Sequence, residues 1–236
     1  MILSVLIPVY NEARTLEEVV RRVRAVPLAK EIILVDDGSG DGSRQILKRL
    51  EEESAHTRDP LNKLKTFLHP MNRGKGAALK TALSHASGDV VIVQDADLEY
   101  DPTDYPRLLE PIQAGQADVV YGTRFAGGGA HRVLFFWHSV GNHLLTMISN
   151  MLTNLNLSDM EVGYKVFHAE ALKGIELKSQ RFGFEPEITM KLAKRGCRFY
   201  EVPIAYHGRT YQEGKKITWK DGFAALYYMI RYWLGD

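Results

Sequence analysis

Asp95 and Asp97 stand one residue apart, directly after the apolar run Val90-Val91-Ile92-Val93. A turn at the end of such a run presents both carboxylates at one edge, where hard oxygen ligands suit Mg²⁺ or Mn²⁺ held against a diphosphate. Magnesium takes one or two protein carboxylates and leaves its other positions to phosphate oxygens and water. A short acidic triplet also serves as an ordinary capping loop, and it is the preceding strand that favours the metal reading. A second acidic string, Asp36-Asp37-Gly38-Ser39 with Asp41, has two compatible uses. It accepts hydrogen bonds from a nucleobase or ribose, or it caps the next helix through an Asx turn.

Other patterns narrow the chemistry by exclusion. Asn72-Arg73-Gly74-Lys75-Gly76 lacks the GK[ST] ending of a phosphate-binding Walker loop, so ATP hydrolysis has no support. The eight histidines show no metal-ligand spacing, and only His207, near Arg209, stands beside a candidate site. Phe184-Glu185-Pro186-Glu187 reads either as a set of acids orienting sugar hydroxyls or as the ordinary first turn of a helix.

These residues need a scaffold that brings them to one edge. Ile2 to Pro8 and Glu31 to Val35 are β-rich runs, and Leu16, Val19, Val20 and Val23 lie between them at helical spacing, behind a Thr15/Glu18 capping box. That is a βαβ unit. A helix signal at Ile46, Leu47 and Leu50 follows, then strands at Lys65 to Leu68, Val90 to Val93 and Val119 to Tyr121, with an Ala-rich helix from Ala77 to Ala86. Alternation of this kind predicts a single Rossmann-like α/β domain with a mostly parallel sheet covered by helices on both faces. Ligands of such sheets sit beyond the carboxyl ends of the strands, where Pro8-Tyr10-Glu12, Asp36-Asp37 and Asp95-Asp97 all fall.

Past Gly122 the pattern changes. A glycine run at Gly127 to Gly129 leads to a helical stretch through Asn154, a Pro186-initiated helix, an alternating strand near Phe199 to Tyr206 and an aromatic C-terminal helix. We divide the domain into a nucleotide-binding half, about residues 1–125, and an acceptor half, about 126–236.

The chain has 236 residues, of which 45% are hydrophobic and 25% charged, so the whole length is expected to fold as one core. Thirty basic against 29 acidic residues leave +1, which supplies no global field toward nucleic acid or an anionic membrane. Cys197 is the lone cysteine, so a reducing compartment is the simplest expectation. No signal-peptide pattern opens the chain, and a cytoplasmic protein is expected. His138, Asn142, His143 and Asn150 interrupt the apolar stretch from Val133 to Leu152, which therefore does not read as a membrane span. The aromatics Trp219, Phe223, Tyr227, Tyr228, Tyr232 and Trp233 read either as core packing or as an interfacial belt. Lys215, Lys216 and Lys220 read as donors to phosphate or as a landing patch on an anionic surface.

Four segments together resemble family-2 glycosyltransferases of the GT-A fold: Val5 to Glu12, Val35 to Ser39, Asn72 to Gly76 and Asp95 to Asp97. Gly122-Thr123-Arg124-Phe125, Asp159 through Phe167, and Gly208-Arg209 with Glu213 to Ile217 resemble, within that family, the dolichyl- and polyprenyl-phosphate hexosyltransferases. The resemblance implies that Pro8, Tyr10, Glu12 and Asp37 hold the nucleoside, that Lys75 lines the donor pocket, and that Asp95 and Asp97 hold metal and diphosphate. Glu99, counted with the expected metal set, departs from the glutamine that dolichyl-phosphate mannosyltransferases often have near the metal, and a carboxylate there is expected to change the metal preference. Arg124, Arg132, Arg209 and Lys215 are implied to contact the donor diphosphate or the acceptor phosphate, to which guanidinium forks are well suited.

The expected reaction is inverting transfer of mannose or glucose from GDP-mannose or UDP-glucose to a lipid phosphate, with Mg²⁺ or Mn²⁺. Asp97, Arg124 and Asp159 are its expected catalytic residues. A phosphate monoester is already largely anionic at neutral pH and needs no dedicated base, so Asp159 orients; for a sugar or other alcohol acceptor Asp159 becomes the candidate base. A non-catalytic nucleotide-sugar-binding scaffold is the alternative from another class. Attachment to the cytoplasmic membrane face is expected to be peripheral or supplied by a partner protein, and no nucleic acid is expected.

Overall fold

Strand β1 (Leu3–Val9) buries Leu3, Val5, Leu6, Ile7 and Val9, so both of its faces are covered. Helix α1 (Leu16–Ala25) returns across the sheet on Leu16, Val19, Val20 and Val23, all buried, and β2 (Lys30–Asp36) then pairs in parallel with β1. The predicted βαβ unit is present. Ile32, Ile33, Leu34 and Val35 of β2 are also sealed, as the centre of a parallel sheet requires. Each such side chain contributes about 2 kcal/mol of burial, which makes these two strands the anchor of the core.

The chain continues through α2 (Ser43–Thr57), β3 (Asn62–Leu68), α3 (Lys75–Ser84), β4 (Val90–Val93), α4 (Tyr105–Gln113), β5 (Val119–Thr123) and α5 (Phe136–Thr153). It closes with β6 (Lys165–His168), the single turn α6 (Ala169–Leu172), α7 (Phe184–Lys194), β7 (Phe199–Pro203) and α8 (Trp219–Leu234). This computed structural model describes residues 1–236 apart from 58, 60, 127–131, 134, 182, 211, 215–218 and 236, with backbone alone at 219 and 220. The expectations placed on Gly127 to Gly129, Lys215 and Lys216, and on the side chains of Trp219 and Lys220, lie outside the described residues.

The seven strands run in the order β3-β2-β1-β4-β6-β5-β7. Only β6 is antiparallel to its neighbours, β4 and β5. Its four residues, Lys165 to His168, are too few to announce a strand by alternation, and the sequence reading left them out. Tyr206, expected to extend β7, instead forms an isolated bridge with Tyr100 beyond the strand's end at Pro203. Between β1 and β4 the connections depart to opposite sides, which opens a crevice beyond their carboxyl ends.

One local expectation fails. Thr15 precedes α1 without making a side-chain cap, and Glu18 pairs with Arg21 and Arg22 instead of returning to it. The Thr15 hydroxyl has a better acceptor, the Ala96 carbonyl at 2.6 Å, and so ties the first helix to the turn after β4.

Candidate active site

The loop after β1 is locked to the loop after β2. Asn11 takes a left-handed backbone at φ 52°, which asparagine tolerates better than most side chains. Its N–H donates to Ser39 Oγ and its Oδ1 accepts from Gly40 N, each at 2.9 Å. Pro8 is half-buried at the end of β1, and Tyr10 lies exposed at the rim. Asp37 is buried, and its carboxylate accepts from Arg73 N, Gly74 N and His69 Nδ1. It thereby fixes the turn that opens α3 and aims Lys75. Gly74, at φ 98°, packs on the backbone at Gln180 and Arg181, where a side chain would collide.

The turn after β4 is strained. Leu98 adopts φ 63°, a conformation that costs a residue other than glycine on the order of 1–3 kcal/mol. That bend lets Glu99 N donate to Asp97 Oδ1 at 3.1 Å. Lys75 Nζ sits 2.9 Å from Asp95 Oδ1 and 2.9 Å from Glu185 Oε1. Burial opposes its charge, yet these two carboxylates hold Lys75 well above the ordinary lysine range. On the other side Arg209 gathers three acids: Asp97 Oδ2 at 2.7 Å, Glu12 Oε2 at 3.2 Å and Glu99 Oε1 at 3.5 Å.

One guanidinium does not balance three carboxylates. Burial, together with the charges of Asp95 and Glu99, pushes Asp97 up to about 7 against the pull of Arg209. A cluster of hard oxygen donors with excess negative charge fits a divalent cation. Among the described residues no three acids, histidines or cysteines are already gathered around a metal position; Lys75 and Arg209 engage Asp95 and Asp97 instead.

A third pair closes the far wall. Arg124 grips Asp159 bidentately, Nε to Oδ2 and Nη2 to Oδ1, both at 2.6 Å, and its backbone N–H adds a bond to Oδ2 at 3.1 Å. The Asp159 loop is held from behind, since Ser158 N and Asp159 N donate to the Glu201 carboxylate and Met160 N donates to Thr146 Oγ1 of α5. Arg124 also lies over the Tyr206 ring, 5.2 Å from its centroid, and the Tyr206 hydroxyl donates to Glu99 Oε2 at 2.9 Å. The Arg124 and Arg209 clusters therefore form one wall.

Of the residues singled out in the sequence, Glu12, Asp97, Glu99 and Arg209 form one ion cluster, Lys75 and Asp95 a second, and Arg124 and Asp159 a third. Arg132 bonds Gly208 O at 3.1 Å and Glu213 Oε2 at 2.8 Å. Lys215 lies outside the described residues. Glu185 joins the Lys75 cluster, whereas Glu187 accepts from Lys178 N and Ser179 N and holds the loop before α7. Tyr206, which links Arg124 to Glu99, was not singled out in the sequence and belongs to no motif read there.

The model for the family described as Glycosyl transferase family 2 matches residues 4–175. The glucosyl-3-phosphoglycerate synthase of Mycobacterium tuberculosis, solved with Mn²⁺, UDP and phosphoglyceric acid, superposes at a TM-score of 0.72 and 18% identity. That likeness covers 99% of this chain and 79% of the synthase chain, and the shared fold is the GT-A arrangement. The chain belongs to glycosyl transferase family 2. It is 29% identical over 225 residues to the undecaprenyl-phosphate mannosyltransferase of Micrococcus luteus, covering 89% of this chain and 85% of that protein. It is 31% identical over 209 residues to the glycosyltransferase AglJ of Haloferax volcanii, covering 87% of this chain. The chain spans 63% of the length of the Haloferax protein.

Proposed function

We propose that this chain is a metal-dependent, inverting glycosyltransferase that moves a hexose from a nucleotide sugar to a polyprenyl or dolichyl phosphate. The observation that carries the reading is the junction of the acidic edge at Asp95, Asp97 and Glu99 with the two arginines, Arg124 and Arg209, on one wall of the crevice. The acids suit a cation and a leaving diphosphate; the arginines suit phosphate. The likeness to an undecaprenyl-phosphate mannosyltransferase over most of both chains supports the choice of acceptor.

In this reading Pro8, Tyr10, Glu12 and Asp37 take the nucleoside end, with Asp37 acting through the Arg73-Gly74 turn it holds. Asp95, Asp97 and Glu99 hold Mg²⁺ or Mn²⁺, which when bound neutralises charge on the leaving diphosphate. Lys75 is released from Asp95 toward phosphate oxygen, Arg209 from Asp97, and Arg132 and Lys215 extend the basic lining. Arg124 orients the acceptor phosphate. Asp159 spends both carboxylate oxygens on Arg124, which favours an orienting role over that of a base, and an ionised phosphate requires none.

A membrane surface is the partner that fits the opposite side of α5. This helix turns Leu145, Ile148 and Leu152 toward the core beside the buried Thr146 and Ser149, yet also exposes Val140, Leu144, Met147 and Met151, so it is apolar on two faces. Trp137, 78% exposed, continues the stripe. Helix α8 packs beside α5 and exposes Tyr227, Ile230 and Leu234 while burying Met229 and Tyr232. Among the described residues no helix is long and apolar enough to cross a membrane, so we propose peripheral attachment at the cytoplasmic face by these two helices.

The test is a mass-spectrometric transfer assay with a short polyprenyl phosphate, Mg²⁺ or Mn²⁺, and GDP-mannose, UDP-glucose and other nucleotide sugars, with and without chelator. Glycosylated lipid that forms with one donor and vanishes with chelator establishes the reaction. Donor consumption without a lipid product redirects the search to alcohol acceptors; donor binding without turnover supports a scaffold.

A further inference from the structure

Glu161 carries an atom that the fold leaves unserved. Its Oε1 is buried and accepts no hydrogen bond among the described residues, although Glu161 as a whole is only part-buried. An orphaned buried acceptor costs on the order of 1–3 kcal/mol, more when charged, and native proteins keep few of them. The charges around it are Glu185, Lys165, Arg124 and Asp159. Lys165 does not serve it, because its ammonium donates to the carbonyls of Met160 and Val162. Glu185 does not serve it either, being turned to Lys75 at 2.9 Å.

The position of this atom narrows what it receives. Two residues on, Gly163 packs so closely on Asp95 that any side chain there would strike the Asp95 carboxylate, which sets the Glu161 loop against the metal edge. Lys75 bridges Asp95 to Glu185 and so joins the same edge to Glu161's neighbour. The cations nearby are engaged elsewhere, Arg124 on Asp159, Lys165 on backbone carbonyls and Lys75 on Asp95 and Glu185, so none is spent on this oxygen. A neutral group with an O–H to donate suits an unpartnered carboxyl oxygen, which accepts a hydrogen bond.

We propose that Glu161 is a specificity-determining residue, and that its unpartnered Oε1 accepts a hydrogen bond from one hydroxyl of the donor hexose. This rests on the transferase reading and adds to it how the sugar is read: the hydroxyl at that carbon must be free, so a deoxy sugar or one acylated there is rejected. Site-built rejection of this kind is strong because loss of the hydroxyl leaves a buried acceptor unpaired again.

The experiment compares donor and bare nucleotide without acceptor. Calorimetric affinities of UDP, UDP-glucose, GDP and GDP-mannose are measured with Mn²⁺ for the full chain and for Glu161→Gln and Glu161→Leu. For the pair that binds, the ratio of nucleotide-sugar to nucleotide affinity falls about ten- to a hundred-fold in the variants while bare-nucleotide affinity holds. One deoxy donor loses the same factor in the unmodified chain, and Glu161→Leu does not distinguish it from the parent donor. The melting temperature of Glu161→Leu is equal to or above that of the parent, since an orphaned carboxylate has been removed. A ratio unchanged in both variants overturns the inference while leaving the transferase reading intact. If no nucleotide or nucleotide sugar binds, the transferase reading falls and takes the inference with it.

Discussion

Arg209 Nη2 donates to Asp97 Oδ2 at 2.7 Å, so a guanidinium rests on the central carboxylate of the acidic edge. A divalent cation and this arginine have the same ligand in view. Arg209→Ala is expected to enlarge the rise in melting temperature produced by Mn²⁺, because the competing cation is gone, while transfer falls. Asp97→Ala is expected to abolish both the Mn²⁺ response and transfer. Equal Mn²⁺ shifts in the parent and in Arg209→Ala would show that the guanidinium and the metal do not compete.

Asp159 and Arg124 behave as a unit. Removing one charge of a buried bidentate pair leaves the other uncompensated, which costs about 3–5 kcal/mol. Asp159→Asn keeps the shape and one acceptor, so its expected loss of stability is at the lower end of that range. Its turnover with a lipid phosphate is expected to exceed that of Asp97→Ala, and the acid limb of the pH–rate profile is expected to stay where it is. A loss of turnover as complete as that of Asp97→Ala, with the limb abolished, would make Asp159 a base.

The parallel half of the fold was legible because its strands are sealed on both faces and read as continuous apolar runs, as at Ile32 to Val35. Topology then placed Glu12, Asp95 and Asp97 on one edge before any side chain was seen. What was not legible is set by pairing across long separations. Thr15 looked like a cap because its local pattern matched one, yet Ala96, 81 positions away, supplies its acceptor. Lys165 sits in a four-residue antiparallel strand that has no periodic signature, and its burial against Tyr121 is decided by neighbours in β5. Glu161 is visible only as one acid in a motif; that its oxygen is orphaned depends on where Glu185 and Lys165 turn.

Glu31 predicts how the domain responds to acid. It accepts bonds from Ser4 Oγ, Ser87 N, Gly88 N and Lys65 Nζ. Burial pushes its carboxyl up, but the hydrogen bonds of Ser4, Ser87 and Lys65 outweigh burial and hold it at about 2, below the ordinary 4.5. A depressed carboxyl contributes stability that is complete above pH 4.5 and is lost as pH falls toward 2. Its size is on the order of 3 kcal/mol, since each pKa unit is worth about 1.4. Chemical denaturation of Glu31→Gln at pH 7 and across that window is expected to show a lower plateau and a shallower decline, and an unaltered decline would remove Glu31 from the account.

The exposed stripe on α5 gives the last prediction, and its force comes from the helix having two faces with separate tasks. The buried face reaches the site: Thr146 Oγ1 accepts from Met160 N, and Asn150 bonds both the N–H and the carbonyl of Leu157, so this side sets the Asp159 loop. The outer face exposes Trp137, Leu144, Met147 and Met151, apolar side chains that take no part in those hydrogen bonds. With a net charge of only +1, the chain has little long-range attraction to an anionic bilayer, and burial of these side chains must supply most of the affinity. Each is worth about 1.5–3 kcal/mol when transferred out of water, so Trp137→Ser or Met151→Ser should weaken sedimentation with phospholipid vesicles about ten-fold or more. Turnover on a short, water-soluble polyprenyl phosphate should be unchanged, while turnover on a long-chain acceptor held in vesicles falls with binding. Equal losses on both acceptors would mean that the outer face supports the Asp159 loop and does not meet a membrane; Thr146→Val, which acts on the inner face, provides the comparison, since it is expected to lower both.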